Sequence, residues 1–219
     1  SLRPTLARAA GVLVIALGVL TVLRGTPLLN TFAAASGHSA NDHTAISMGG
    51  AADMAMDLEP APAAAFALTN QDHQPVSLHD YHGRVVVLDF IYTSCTDTCP
   101  LLTAAFRAVQ DGLGSEFAKD VALVSISVDP ATDTPAVLKA FGEKWGADFS
   151  GWAFLTGSPD EVQSVTSAYA VYVERTSDGL AHSETILLID RHGRLRSVFG
   201  LPADPEAATA KARQLAREP

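Results

Sequence analysis

The chain has 219 residues, 47% of them hydrophobic and 18% charged, with a formal net charge of −9 and a mean hydropathy of +0.17. Only 2 Cys and 12 Pro are present, which excludes collagen-like, disulfide-dense and wholly disordered classes. Arg3, Arg8 and Arg24 are the only charges in residues 1–30, so the remainder carries about −12, a field that repels phosphate backbones and makes nucleic acid a poor partner.

The first predicted element covers residues 6–24. Ala9–Leu23 is uncharged, and extending it back across Arg8 to Leu6 gives a helix of roughly 27 Å, close to the hydrocarbon thickness of a bilayer. A cleaved signal peptide competes, because Ala33-Ala34-Ala35 offers small residues, but that triplet lies far beyond the apolar run. The expectation is a retained single-pass anchor in the inner (cytoplasmic) membrane. Arg3 and Arg8 precede the span, which predicts the N-terminus inside and the C-terminal body on the periplasmic, outer side.

Residues 25–63 show no helical or strand period and are expected to form a tether, with a flexible span on the order of 35 Å. The segment holds His38, His43 and all three methionines, Met48, Met54 and Met56. Soft thioether and imidazole groups suit Cu(I). Without a fixed ligand spacing, they are equally readable as incidental residues of a spacer.

The globular body is expected over residues 64–219. Phe66–Leu68 and Val76–Leu78 predict short strands around a turn, and Arg84–Thr93 is a continuous apolar run that predicts a strand buried on both faces. Pro100 predicts a helix to Leu113, with proline at its first position. Val121–Val128 is a second buried strand, and Asp133 or Thr134 is expected to cap a helix that runs from Pro135 to Trp145. Trp152–Leu155 predicts another strand, and Ser158 a helix reaching Ala170. Glu184–Asp190 and Arg194–Phe199 predict a hairpin, and Pro205 to Arg217 a closing helix. This order predicts a thioredoxin-like layered α/β domain, with a central mixed sheet flanked by helices.

Both cysteines lie in one segment, Asp89-Phe-Ile-Tyr-Thr-Ser-Cys95-Thr-Asp-Thr-Cys99-Pro100, where a buried strand delivers the chain to a helix N-terminus. Unpaired N–H groups and the helix dipole at that place predict a lowered thiol pKa. Their spacing lets the two sulfurs meet as a redox pair or around one soft ion. A plain structural disulfide closing so short a loop would remove little unfolded-chain entropy. Two sulfurs rarely complete a metal site, so a third ligand is sought among seven histidines. His73, His79, His82 and His192 fall in loops elsewhere. His182 follows a loop expected over Arg175–Ala181 and directly precedes a predicted strand, and it is either a surface residue or a group brought over the cysteine loop.

Four blocks in order, Phe90-IYTSCTDTCP, Ser127-VDPATDTP, Ala181-HSETILLID and Gly193-RLRSVFG, resemble the Sco/SenC family of copper chaperones for cytochrome c oxidase assembly. The resemblance covers roughly residues 64–202. It implies a copper-binding, thioredoxin-like domain outside the membrane, with Cys95 and Cys99 as sulfur ligands and His182 as the nitrogen ligand. Asp129 matches an acid placed near the site, with capping of the turn before Pro130 as its other reading. The implied partners are the copper-bearing subunit of the oxidase, other copper chaperones and the membrane. Thr96 stands where the family often has proline, and the His/Met tether is not a general family feature.

Two thiolates and an imidazole suit three-coordinate Cu(I) and can also hold Cu(II). Binding needs reduced sulfurs, so copper loading and a Cys95–Cys99 disulfide exclude one another, and the same pair could reduce a disulfide on an acceptor. Metal-free thiol–disulfide exchange, thiol peroxidase chemistry and copper storage or sensing by the tether are the alternatives.

Overall fold

The computed structural model describes residues 55–219 apart from Asp97 and Asp178. The chain begins with β1 (Ala55–Pro62), β2 (Ala67–Asn70) and β3 (Pro75–Ser77), and a 3-10 turn over Leu78–Tyr81 leads into β4 (Val85–Ile91). Helix α1 (Cys99–Leu113), β5 (Val121–Ser127), α2 (Pro135–Trp145), β6 (Trp152–Thr156) and α3 (Pro159–Ala168) follow. The remainder comprises β7 (Val173–Thr176), β8 (Gly179–His182), β9 (Ile186–Ile189), β10 (Arg194–Phe199) and α4 (Pro205–Arg217).

Eight strands form one mixed sheet in the order β1-β10-β9-β4-β5-β6-β2-β3, while β7 and β8 form a separate two-stranded hairpin. The two apolar runs singled out in the sequence lie at its centre: β4 and β5 are buried at every position and pair in parallel from Val85↔Val121 to Ile91↔Ser127. Burial on both faces is what their unbroken Val/Leu/Ile content predicts. One face carries Val85, Val87 and Ile91 against Leu102, Phe106 and Val109 of α1, Leu138 of α2 and Ala208, Ala212 and Leu215 of α4. The other carries Val86, Leu88 and Phe90 against Val162 and Val165 of α3. Each large side chain so buried contributes roughly 1.5–3 kcal/mol. The layered mixed α/β architecture is therefore as the element order predicts.

Several local expectations are corrected. Residues 55–62, assigned to the tether, form strand β1, which pairs antiparallel with β10. Thr134, not Asp133, caps α2 by accepting from Val137 N–H. Pro100 occupies the second position of α1 behind Cys99, and α3 ends at Ala168. The loop expected over Arg175–Ala181 contains most of the β7–β8 hairpin. The predicted anchor and the tether residues His38, His43, Met48 and Met54 lie outside the described residues. Among those described, no helix is long and apolar enough to cross a membrane.

Candidate metal centre

Cys95 and Cys99 stand at the C-terminal end of β4, where the sheet's central strand turns into α1. The helix lacks a side-chain oxygen cap at Thr98. Instead, Cys95 Sγ accepts the Cys99 N–H at 3.4 Å, so one of the unpaired N–H groups of the helix N-terminus points at sulfur. The two cysteines are not joined in a disulfide; Cys95 is half-buried and Cys99 is buried. The Cys99 thiol is pushed well up from its ordinary pKa, chiefly by burial and next by its hydrogen bond with Cys95. That corrects the lowered value expected at a helix N-terminus: removing the sulfur from water outweighs the dipole.

His182 ends β8 and closes the other side. Its Nε2 lies 3.4 Å from Cys99 Sγ, and its Nδ1 is 3.0 Å from the Ser183 carbonyl. The carbonyl can only accept, so the proton is assigned to Nδ1 and the Nε2 lone pair faces the sulfur. Burial lowers the pKa of His182, against a smaller raising effect of the Ser183 hydrogen bond. The ring is thus neutral near pH 7 and in the tautomer that a metal needs.

Cys95 and His182 line opposite sides of an open cavity of about 630 Å³, and Cys99 contacts both. Tyr92, Cys95, Thr96 and Thr98 form one wall, and Thr176, Gly179, Leu180, His182 and Glu184 the other. Their contacts run in a chain, Cys95 to Cys99 to His182. Among the described residues, no three His, Cys, Asp or Glu side chains yet surround a common point. Loading a soft ion therefore requires the chain to close around it and both thiol protons to leave. The donor chemistry, two sulfurs and a neutral imidazole, fits copper.

Asp129 is not among the cavity-lining residues. Its carbonyl closes the turn by accepting from Thr132 and Asp133 N–H. Its buried carboxylate pairs with Arg175 of β7 at 3.7 Å, so it acts on the hairpin that carries His182. Met56 is exposed on β1, an edge strand separated from β4 by β10 and β9, roughly 14 Å at ordinary strand spacing. His79, His82 and His192 lie at the opposite end of β4: the first two precede its start, and the third follows Ile189, which pairs with Val86.

Two buried carboxyls were not read as site residues from the sequence. Asp133, fully buried, accepts from the Thr93 N–H at 3.1 Å, the Thr93 hydroxyl and the Ser127 hydroxyl at 2.6 Å. It ties the start of the cysteine loop to the end of β5. The proximity of Asp133 to a helix start disguised this role. Asp89, equally buried, makes no hydrogen bond of ordinary geometry at either oxygen, and burial, opposed more weakly by Ser125, pushes its pKa up to about 8. An acid in an otherwise apolar strand was the available signal for it.

The SCO1/SenC family model matches residues 55–217. The SCO1 protein homolog of Bacillus subtilis is 34% identical over 134 residues, covering 59% of this chain and 69% of its own length. The structure of Bradyrhizobium japonicum ScoI with copper bound is 32% identical with a TM-score of 0.63, covering 71% of this chain and 99% of that one. BsSco, a member of the Sco family of cytochrome c oxidase assembly proteins in which a disulfide switch has been identified, is 28% identical with a TM-score of 0.63; the match covers 72% of this chain and 96% of that one.

Proposed function

The chain belongs to the SCO1/SenC family, and from that premise we propose that it binds copper through Cys95, Cys99 and His182 and delivers it to the dinuclear copper A site in the copper-bearing subunit of cytochrome c oxidase. The observation that carries this reading is the 3.4 Å approach of His182 Nε2 to Cys99 Sγ beside the Cys95 sulfur, on a cavity open to an acceptor. Copper is the cargo. The sulfurs give up their protons to hold it, Nε2 supplies the third donor, and the open side lets acceptor ligands displace these groups stepwise.

Absorption of Cu(II)-loaded protein tests it. Thiolate-to-copper charge-transfer bands are expected, and they should vanish in Cys95→Ser and in Cys99→Ser. His182→Ala should retain the fold and lose affinity for Cu(II) against a competing chelator; unchanged affinity would remove His182 from the site. The sequence further supports placement of residues 6–24 in the inner membrane with the domain on the periplasmic side. Protease added to sealed spheroplasts should then cleave within residues 25–54, and full protection of the chain would reverse that topology.

A second reading is favoured by the direct contact between the two thiols. In it, Cys95 and Cys99 pass two electrons and two protons to an acceptor disulfide and close their own disulfide in exchange. Copper uptake by fully oxidised protein, equal to that of the reduced form, would sink the copper reading of this pair, and failure of the reduced protein to reduce an acceptor disulfide would sink the second.

A further inference from the structure

Tyr92 follows the last residue of β4 and touches every proposed ligand. Its ring meets His182 edge-on, with centroids 5.7 Å apart at 78°. Its hydroxyl is hydrogen-bonded to the Cys95 side chain and to the backbone of Leu180. Its backbone N–H donates toward the Cys99 sulfur. Leu180 N–H can only donate, so the phenol accepts from it and turns its own proton to Cys95. Gly179 lies beside this arrangement, where a Cβ would make an ordinary contact 3.5 Å from the Tyr92 oxygen, and its backbone, with φ of +137°, disfavours any side chain.

Resting on the copper reading above, we propose that Tyr92 is a positioning residue that sets the Cu(II)/Cu(I) balance of the bound ion, by holding its O–H on the Cys95 sulfur while its ring fixes the His182 plane. A proton shared with a copper-bound thiolate draws electron density from the sulfur. It weakens the bond to Cu(II) more than that to Cu(I), and hydrogen bonding around a cysteine ligand is an established lever on copper potentials. The result is an ion kept in the Cu(I) form and a Cys95–copper bond that an acceptor can break.

Tyr92→Phe removes the hydroxyl and keeps the ring. Its expected effects are a shift of the thiolate-to-Cu(II) band to longer wavelength, a lower reduction potential, and a rise of about tenfold in the ratio of Cu(II) to Cu(I) affinity, the scale of one hydrogen bond to a charged group. Site-specific 3-fluorotyrosine at position 92 keeps the side-chain volume and strengthens the donor, so band and potential should move the opposite way. Tyr92→Leu should also alter the nitrogen coupling of His182 in the electron paramagnetic resonance spectrum. If band, potential and affinity ratio stay at wild-type values in both the phenylalanine and the fluorotyrosine proteins, the inference is overturned. If wild-type protein itself shows no thiolate-to-copper band, the copper reading fails instead, and the two failures are told apart in the same experiment.

Discussion

The two walls of the cavity are built on opposite principles. The cysteine wall grows out of β4, a strand buried at every position, and its first residues are held by the three hydrogen bonds to Asp133. The histidine wall is the β7–β8 hairpin, which belongs to no part of the main sheet. Only Val173 and Leu180 of it pack against the core, each partly buried, and polar links add to them: Tyr172 and Ser183 exchanging two hydrogen bonds, Arg175 on Asp129 and Tyr92 on Leu180. Local stability follows buried contacts, so the sulfurs are fixed while His182 rides on the part that opens at lowest cost. Fixed sulfurs catch the ion, and a movable third ligand completes or releases it.

The comparison breaks most severely at Asp133. Asp133→Ala leaves the half-buried Thr93 N–H and hydroxyl, and the proton of the buried Ser127 hydroxyl, without their acceptor, a loss of about 3 kcal/mol. In a domain of this size that is a fall of roughly 10 °C in Tm, measured by calorimetry on the apo protein. Copper affinity should fall as well, because the rigid wall would then be no firmer than the hairpin. A melting temperature within two degrees of wild type, at about the resolution of the method, would show that the loop is held by something else.

The same wall contains a group that opposes folding. Asp89 is held protonated up to about pH 8 in the folded protein, whereas an unfolded carboxyl ionises near pH 3.9. Between those values the unfolded chain releases a proton that the folded one keeps, so stability falls as pH rises through that window. Asp89→Asn has nearly the same shape and no proton to release. It should stabilise the domain at pH 7.5 and change it by almost nothing at pH 4. Urea titrations at the two pH values check this, and a variant less stable than wild type at pH 7.5 would mean that the carboxylate has an ionic partner in solution.

The legible parts of this molecule are those dictated by apolar burial. The runs at Val85–Ile91 and Val121–Ser127 read as central strands because only Asp89, Ser125 and Ser127 interrupt their apolar content, and the position of both cysteines at a strand-to-helix turn followed from them. β1 was invisible. Its sequence AMDLEPAP carries two prolines and two acids, which an edge strand tolerates and a propensity argument rejects. The β7–β8 hairpin was read as a loop because its residues are half-buried or exposed on both faces, leaving no alternation to detect. His182 therefore stands out in the sequence only by its place before a strand, and the resemblance alone makes it a ligand. Asp133 reads there as an alternative cap, one residue ahead of Thr134, which is the cap observed. Tyr92 lay unnoticed within an apolar run because its role depends on partners about 90 residues later in the chain.

The smallest expected effect on stability is the one that isolates the hairpin. The Arg175 side chain is 73% exposed and its pair with Asp129 spans 3.7 Å, so Arg175→Ala should change the stability of the apo domain by no more than about 0.5 kcal/mol. Its effect on copper should be larger in proportion. Without the pair, the buried Asp129 carboxylate no longer holds β7, the hairpin spends more time away from the cysteine wall, and Nε2 is less often in place. The competent fraction sets the apparent affinity, so a few-fold loss of Cu(II) affinity is expected, with the loss carried by faster dissociation into a chelator. Arg175→Lys restores the charge but not the fork of the guanidinium, and should recover part of the loss. Cu(II) should suffer more than Cu(I), since two thiolates alone satisfy a low-coordinate Cu(I) while Cu(II) demands the nitrogen. Equal affinities for wild type and Arg175→Ala, at equal stability, would mean that His182 is held as firmly as the sulfurs and that the two walls do not differ in the way described.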